Sequence, residues 1–132
     1  MTPKRILIID DDIDMGNLLS RFLTKKGYQT EVAINGARGL TLFNDSFFDI
    51  VLCDYRLGDM DGKSVLQQIK ALRPETIVVI ITGYSDIKTA VDVIKQGAFD
   101  YITKPLIPDE VISVIEKALA APKGEPDEAK PA

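Results

Sequence analysis

The chain has 132 residues, 45% hydrophobic and 27% charged, the size and composition of one soluble globular domain rather than a disordered segment. Its net charge of −4 argues against a domain that grips nucleic-acid phosphates, its single cysteine, Cys53, leaves no internal disulfide or CxxC metal site, and no apolar run approaches the ~20 residues needed to span a bilayer. Histidine is absent, which excludes Ser-His-Asp triads, Cys-His dyads, zinc–His centres and His general bases, and leaves any chemistry to carboxylates, hydroxyls, lysine and a hard metal.

The opening MTPKR is followed by only four apolar residues, too few for the apolar region of a signal peptide, so a cytoplasmic location is the default. Arg5–Ile9 (RILII) is short, β-branched and bounded by charge, and predicts a buried strand. From Ile13 to Lys26 the apolar residues Met15, Leu18, Leu19 and Phe22 make a helical stripe that Gly27 ends. Thr30–Ile34 predicts a second strand, Asn35-Gly36 a turn, and Ala37, Leu40 and Phe43 a short helix. Ile50–Cys53 is a third apolar strand, and Val65, Leu66, Ile69 and Leu72 line a helix stopped by Pro74. Ile77–Ile81 (IVVII) is the most β-prone run, and Ile87, Ala90, Val91 and Ile94 make a helix ended by Gly97. Phe99–Ile102 is a last strand, and Pro108 opens a helix lined by Val111, Ile112, Ile115, Ala118 and Leu119. Strand and helix thus alternate five times, which predicts an α/β domain with a parallel sheet and helices on both faces. Residues 121–132, rich in Pro, charge and Ala with no large apolar residue, read as a linker or disordered tail.

Ligands of a doubly wound sheet bind beyond the carboxyl ends of its strands. The first strand is followed by Asp10, Asp11 and Asp12, the third by Asp54, the fourth by Thr82 and Gly83, and the fifth by Thr103, Lys104 and Pro105; the second offers only Asn35 and Gly36. Carboxylates brought together this way repel one another, and a bound cation relieves them. Oxygen-only ligands point to Mg²⁺, Mn²⁺ or Ca²⁺. A hydroxyl and an ammonium at the same edge suit phosphate oxygens. Taken singly these residues have plainer readings. One Asp of the first three is an ordinary helix cap, Thr-Gly after a strand is common turn chemistry, and lysines are mostly solvated. Cys53 reads as a small buried residue. The functional reading rests on four strand ends agreeing.

These residues resemble the receiver domains of bacterial two-component response regulators. "ILIIDDD", "DIVLCDYRLGDMDG", "VVIITGYSD" and "GAFDYITKP" follow that family's motifs in order and spacing, over about residues 4–120. The resemblance implies a three-layer doubly wound (βα)5 flavodoxin-like fold with a five-stranded parallel sheet in the order 2-1-3-4-5. It implies that Asp54 is the phosphoacceptor, attacking the phosphorus of a phosphohistidine on a sensor histidine kinase or phosphotransfer protein. Asp10 and Asp11 would hold Mg²⁺ (or Mn²⁺ in its place), Asp11 directly and Asp10 through water, with Asp54 and the Arg56 carbonyl as further ligands. Thr82 would donate its hydroxyl to the transferred group, and Lys104 would contact its oxygens. Tyr101 matches the aromatic switch position, and the Lys104–Pro105 bond a position that is usually cis. Arg56 and Tyr84 lie where the family tunes phosphoryl lifetime. Asp12 is expected to cap the following helix.

The resemblance places the switching surface on the fourth helix, fifth strand and fifth helix, roughly Ser85–Leu119, and makes an output domain or target protein the recipient of the signal. The domain itself would catalyse only its own phosphotransfer and slow dephosphorylation, and would touch neither membrane nor nucleic acid. "QGAFDYITKP" resembles receivers attached to enhancer-binding transcription activators, and phosphorylation-driven homodimerisation through the last two helices fits the same picture. One departure is Gly58, which stands where the acceptor loop often carries Pro and is expected to loosen that loop. "ILIIDDDID" also resembles the Asp-x-Asp of haloacid-dehalogenase phosphatases, but the late acidic pair those enzymes need is replaced by Thr-Lys-Pro. A calcium loop beginning at Asp10 fails on spacing, with Gly16 seventh and Arg21 twelfth.

Overall fold

The three inner strands, RILII, IVLCD and IVVIIT, carry branched aliphatic residues on both of their sides, so the sheet needs a layer of helices above and below. In the computed structural model, which describes residues 3–83 and 87–120, that requirement is met by two helical layers. The elements are β1 (Arg5–Ile9), α1 (Ile13–Lys25), β2 (Gln29–Ala33), α2 (Gly36–Asp45), β3 (Ile50–Asp54), α3 (Gly62–Leu72), β4 (Ile77–Thr82), α4 (Ile87–Lys95), β5 (Asp100–Thr103) and α5 (Pro108–Ala120). A small antiparallel hairpin, Arg56–Leu57 against Met60–Asp61, sits between β3 and α3. The five strands are all parallel, in the order β2-β1-β3-β4-β5. This is the flavodoxin-like order, and the chain reverses its direction of growth between β1 and β3, where such sheets bind ligands.

Alternate residues of β1, β3 and β4 feed opposite layers. Leu7, Ile9, Val51, Cys53, Val78 and Ile80 pack with Phe43 of α2, Val65, Leu66 and Ile69 of α3 and Val93 of α4. Ile6, Ile8, Leu52, Val79 and Ile81 pack with Leu19 and Leu23 of α1 and with Val111, Ile112 and Ile115 of α5. Helices α1 and α4 are each followed by a glycine in the left-handed region, Gly27 at φ 97° and Gly97 at φ 112°, which L side chains rarely adopt.

The structure moves several expected boundaries and faces. β2 covers Gln29–Ala33 rather than Thr30–Ile34, because its pairing with β1 ends at Ile9 and Ala33 and the chain then turns into Asn35, the N-cap of α2. β5 covers Asp100–Thr103 rather than Phe99–Ile102, its register with β4 carrying Thr103 level with Thr82. Leu18 and Leu72 lie outside the core, 57% and 54% exposed. The buried side of α1 is Gly16, Leu19 and Leu23. In α4 the buried pair is Ala90 and Val93, whereas Ile87, Val91 and Ile94, one apolar stripe at i, i+4 and i+7, are 73%, 47% and 42% exposed. Among the described residues no helix is long and apolar enough to cross a membrane. The expected linker at 121–132 lies outside the described residues.

Candidate functional site

The acidic residues reach one place because the strands that carry them are neighbours. Asp10 directly follows β1, and its N–H donates to Ala33 O at 3.0 Å, which continues the sheet pairing and leaves the side chain fully buried. Asp54 is the last residue of the adjacent β3, is 4% exposed, and is paired with Ile81 of β4. One carboxylate oxygen from each of Asp10, Asp11 and Asp54 lies within 4.8 Å of the others. The Lys104 ammonium closes the site from the far side, with Nζ 3.2 Å from Asp54 Oδ2. Lys104 is held there by its own backbone, whose N–H donates to Thr82 O at 2.8 Å. Thr82, buried at the end of β4, therefore sits between the acceptor strand and the lysine.

The electrostatics are those of a site short of positive charge. Burial pushes the Asp10 carboxyl up to about 6; the Asp12 N–H, donating to Asp10 Oδ1 at 2.9 Å, opposes this, and the neighbouring Asp54 adds to it. A protonated Asp10 lies within hydrogen-bonding reach of Asp54. When both are ionised, the buried Asp10 Oδ2 has no hydrogen-bond partner. Burial pulls the Lys104 ammonium down, but the charges of Asp54 and Asp10 outweigh it and the net shift is upward. Cys53, fully buried next to Asp54, has its thiol pushed up by burial first and by the carboxylates second, so it is inert as a nucleophile. An all-oxygen donor set with an unsatisfied buried oxygen fits a hard divalent cation. Asp11 is exposed and borders an open groove that it shares with Tyr55, Arg56, Gly58 and Asp61, so the cluster is reachable from solvent.

Asp12 stands apart from the cluster and caps α1, accepting from the N–H groups of Asp14 at 3.1 Å and Met15 at 3.2 Å. Tyr101 is on β5 and 39% exposed. Arg56 is exposed, its N–H 3.4 Å from Asp54 Oδ1. The Lys104–Pro105 bond is cis. Tyr84 lies outside the described residues. Sequence reading did not find the hairpin, the N-cap of α3 by Asp61 (Oδ1 to Ser64 N, 2.9 Å) or the contacts of Asp59. An Asp immediately before a helical run is a signal for the cap. Asp59 has no local signal, because its partners are Gly36 and Ala37.

Gly62 shows how closely the site is built. Its N–H donates to Tyr55 O at 2.7 Å, and a Cβ there would lie 2.9 Å from both Asp54 O and Tyr55 Cα, main-chain atoms at the end of β3. Gly62→Ala is therefore expected to cost ~2–3 kcal/mol in urea unfolding, since backbone must move rather than a side chain.

The sequence profile described as "Response regulator receiver domain" matches residues 6–116. Transcriptional regulatory protein ZraR of Escherichia coli K12 is 44% identical over 115 residues, which are 87% of this chain and 26% of that protein. Regulatory protein AtoC of the same strain is 38% identical over 116 residues, 88% of this chain and 25% of its own length. The chain thus spans about a quarter of the curated relatives it matches. Among solved structures, a CheY-like receiver domain protein from Methanospirillum hungatei JF-1 superposes with a TM-score of 0.86 at 34% identity, covering 89% of this chain and 94% of that one. The receiver domain of NtrX from Brucella abortus gives 0.84 at 37% identity, covering 89% and 99%. A profile match from β1 into α5, on a parallel sheet of this order, makes the chain a member of the response regulator receiver domain family.

Proposed function

We propose that this domain is the phosphorylation-driven switch of a two-component pathway, with Asp54 as phosphoacceptor. The observation that carries this reading is the Lys104 ammonium 3.2 Å from Asp54 Oδ2, beside the Asp10 and Asp11 carboxylates. Asp54 needs no general base, because an ionised carboxylate is already the nucleophile. One of its oxygens bonds to the phosphorus of a kinase phosphohistidine while the P–N bond breaks, the electron pair staying on the imidazole nitrogen. Asp10, Asp11 and Asp54, with the Arg56 carbonyl, would hold Mg²⁺ (or Mn²⁺), which supplies positive charge beside the phosphoryl oxygens.

The acyl phosphate adds about two negative charges to a buried position. Lys104 turns from the carboxylate to the phosphoryl oxygens, and Thr82 donates its hydroxyl to them. Tyr101 then moves inward from its exposed position, and the population shifts to a second surface built on α4, β5 and α5. The exposed stripe Ile87, Val91 and Ile94 supports that surface as the one a partner or a second copy meets. Arg56 and Tyr84, two positions after Asp54 and Thr82, are the residues that set how long the acyl phosphate survives attack by water. Two relatives named as transcriptional or regulatory proteins support transcription regulation as the output, carried by an output domain or target protein rather than by nucleic-acid contacts of this acidic domain. A sensor histidine kinase or phosphotransfer protein is the donor, and this domain meets it in the cytoplasm.

The test is incubation of the purified chain with Mg²⁺ and acetyl phosphate, followed by intact mass. The expected result is a gain of one alkali-labile phosphoryl group, mapped to Asp54. A group mapped to Asp10 or Asp11 would overturn the assignment.

A further inference from the structure

The loop after the acceptor strand carries Gly58 at the first of its two turn residues, where a Pro would fix the chain. Yet the hairpin is docked, and from outside. Asp59, the second turn residue, reaches the first turn of α2: Oδ1 accepts from Gly36 N and Oδ2 from Ala37 N, both at 2.9 Å. This is not the cap of α2, which is Asn35, accepting from Arg38 N at 2.7 Å. An apolar contact reinforces the polar one. Met60 occupies the space beside Gly36, where a Cβ would lie 2.5 Å from Met60 Cγ and 2.6 Å from its sulfur. The two N–H donors hold the Asp59 carboxyl below the usual carboxylate range, so it is ionised throughout the neutral range.

The arm of the hairpin that runs back to the acidic site is Arg56–Leu57, paired with Asp61 and Met60. Leu57 is buried, and Arg56 follows Asp54 by two residues. We propose that Asp59 is a positioning residue for the cation site: by pinning the hairpin to α2 it fixes the Arg56 main chain beside Asp54 and Asp11, the task a proline at Gly58 would otherwise perform. This rests on the reading of the acidic cluster as a Mg²⁺ site. Gly58 has room for a larger residue. Its φ is not in the left-handed region, and a Cβ there meets nothing within 4 Å. Leu57 before it is in strand conformation, as the residue preceding a proline prefers.

The test is calorimetric titration of MgCl2 into the full chain, into Asp59→Ala, and into Asp59→Ala with Gly58→Pro, with melting in EDTA as the control for folding. Asp59→Ala is expected to raise the Mg²⁺ Kd by about three- to tenfold, the loss of two charge-assisted bonds at an exposed loop. Its melt in EDTA should stay close to wild type, and Gly58→Pro should restore most of the affinity. An unchanged Kd in Asp59→Ala overturns the proposal, as does a loss that Gly58→Pro leaves unrepaired, which would mean that Asp59 acts through its charge and not by holding the loop. A wild-type chain that takes up no Mg²⁺ would instead remove the metal-site reading beneath it.

Discussion

Asp54→Asn is expected to fold like the wild type and to take up no phosphoryl group from acetyl phosphate in an intact-mass assay, under conditions that modify the wild type to completion. The amide has the shape of the carboxylate, and Asp54 is 4% exposed at the end of a fully buried strand, so the packing around it is unchanged. What disappears is the nucleophile, since an amide oxygen is neutral and lacks the electron density to attack phosphorus. Stability should change by no more than about 1–2 kcal/mol, because two effects oppose each other. Lys104 loses the partner at 3.2 Å, while Asp10 loses the nearest like charge. Residual phosphorylation of the variant at the wild-type rate would move the acceptor elsewhere.

The second large effect concerns Asp10 in the absence of cation. Its carboxyl is raised from 3.8 to about 6 in the folded chain. The sign follows from linkage: the folded state holds this proton more tightly than the unfolded state. The associated stability is fully present below pH 3.8 and is lost as the pH rises through about 6. At pH 7.5 the ionised Asp10 therefore costs the cation-free protein up to ~3 kcal/mol. Asp10→Asn keeps an Oδ1 acceptor for Asp12 N and removes the charge. In EDTA at pH 7.5 the variant is expected to be more stable than wild type by ~1–3 kcal/mol in urea titration. That advantage should shrink toward pH 5. Saturating Mg²⁺ should raise the wild-type midpoint and leave the variant nearly unmoved, and the wild-type response should weaken as protons compete below about pH 6. A variant less stable than wild type in EDTA would contradict the account of Asp10 as an uncompensated buried charge.

Much of the site was legible because chemistry and topology coincide in this fold. An apolar strand that runs straight into a carboxylate, as IVLCD does at Asp54, marks a sheet edge as well as a functional group. The strand-end rule then gathers Asp10, Asp11, Asp54, Thr82 and Lys104 without coordinates. What sequence could not supply is the side of a helix that meets the sheet when both sides are apolar. In α4, Ala90 with Val93 and Ile87 with Val91 and Ile94 are equally regular stripes, and only packing against the sheet and α3 selects the smaller pair as buried. The docking of Asp59 was hidden for a different reason. Its partners, Gly36 and Ala37, lie 23 and 22 positions earlier, and nothing in the acceptor loop itself announces them. The expectation of a loose loop at Gly58 considered only the turn and not what the turn touches.

The two-layer core has a consequence for how the chain is made. β1 precedes the other four strands in the chain but sits inside the sheet, between β2 and β3. Its Ile6 and Ile8 share a buried cluster with Val111, Ile112, Ile115 and Ala118 of α5, the last described helix. During vectorial synthesis the layer over β1 therefore stays half open until α5 has left the ribosome, while the opposite layer, closed by α2, α3 and α4, can assemble earlier. The acidic edge that depends on β5 for Lys104 is thus completed only after the other strand ends have emerged, so a nascent chain paused before Thr103 carries the carboxylates without the ammonium that answers them.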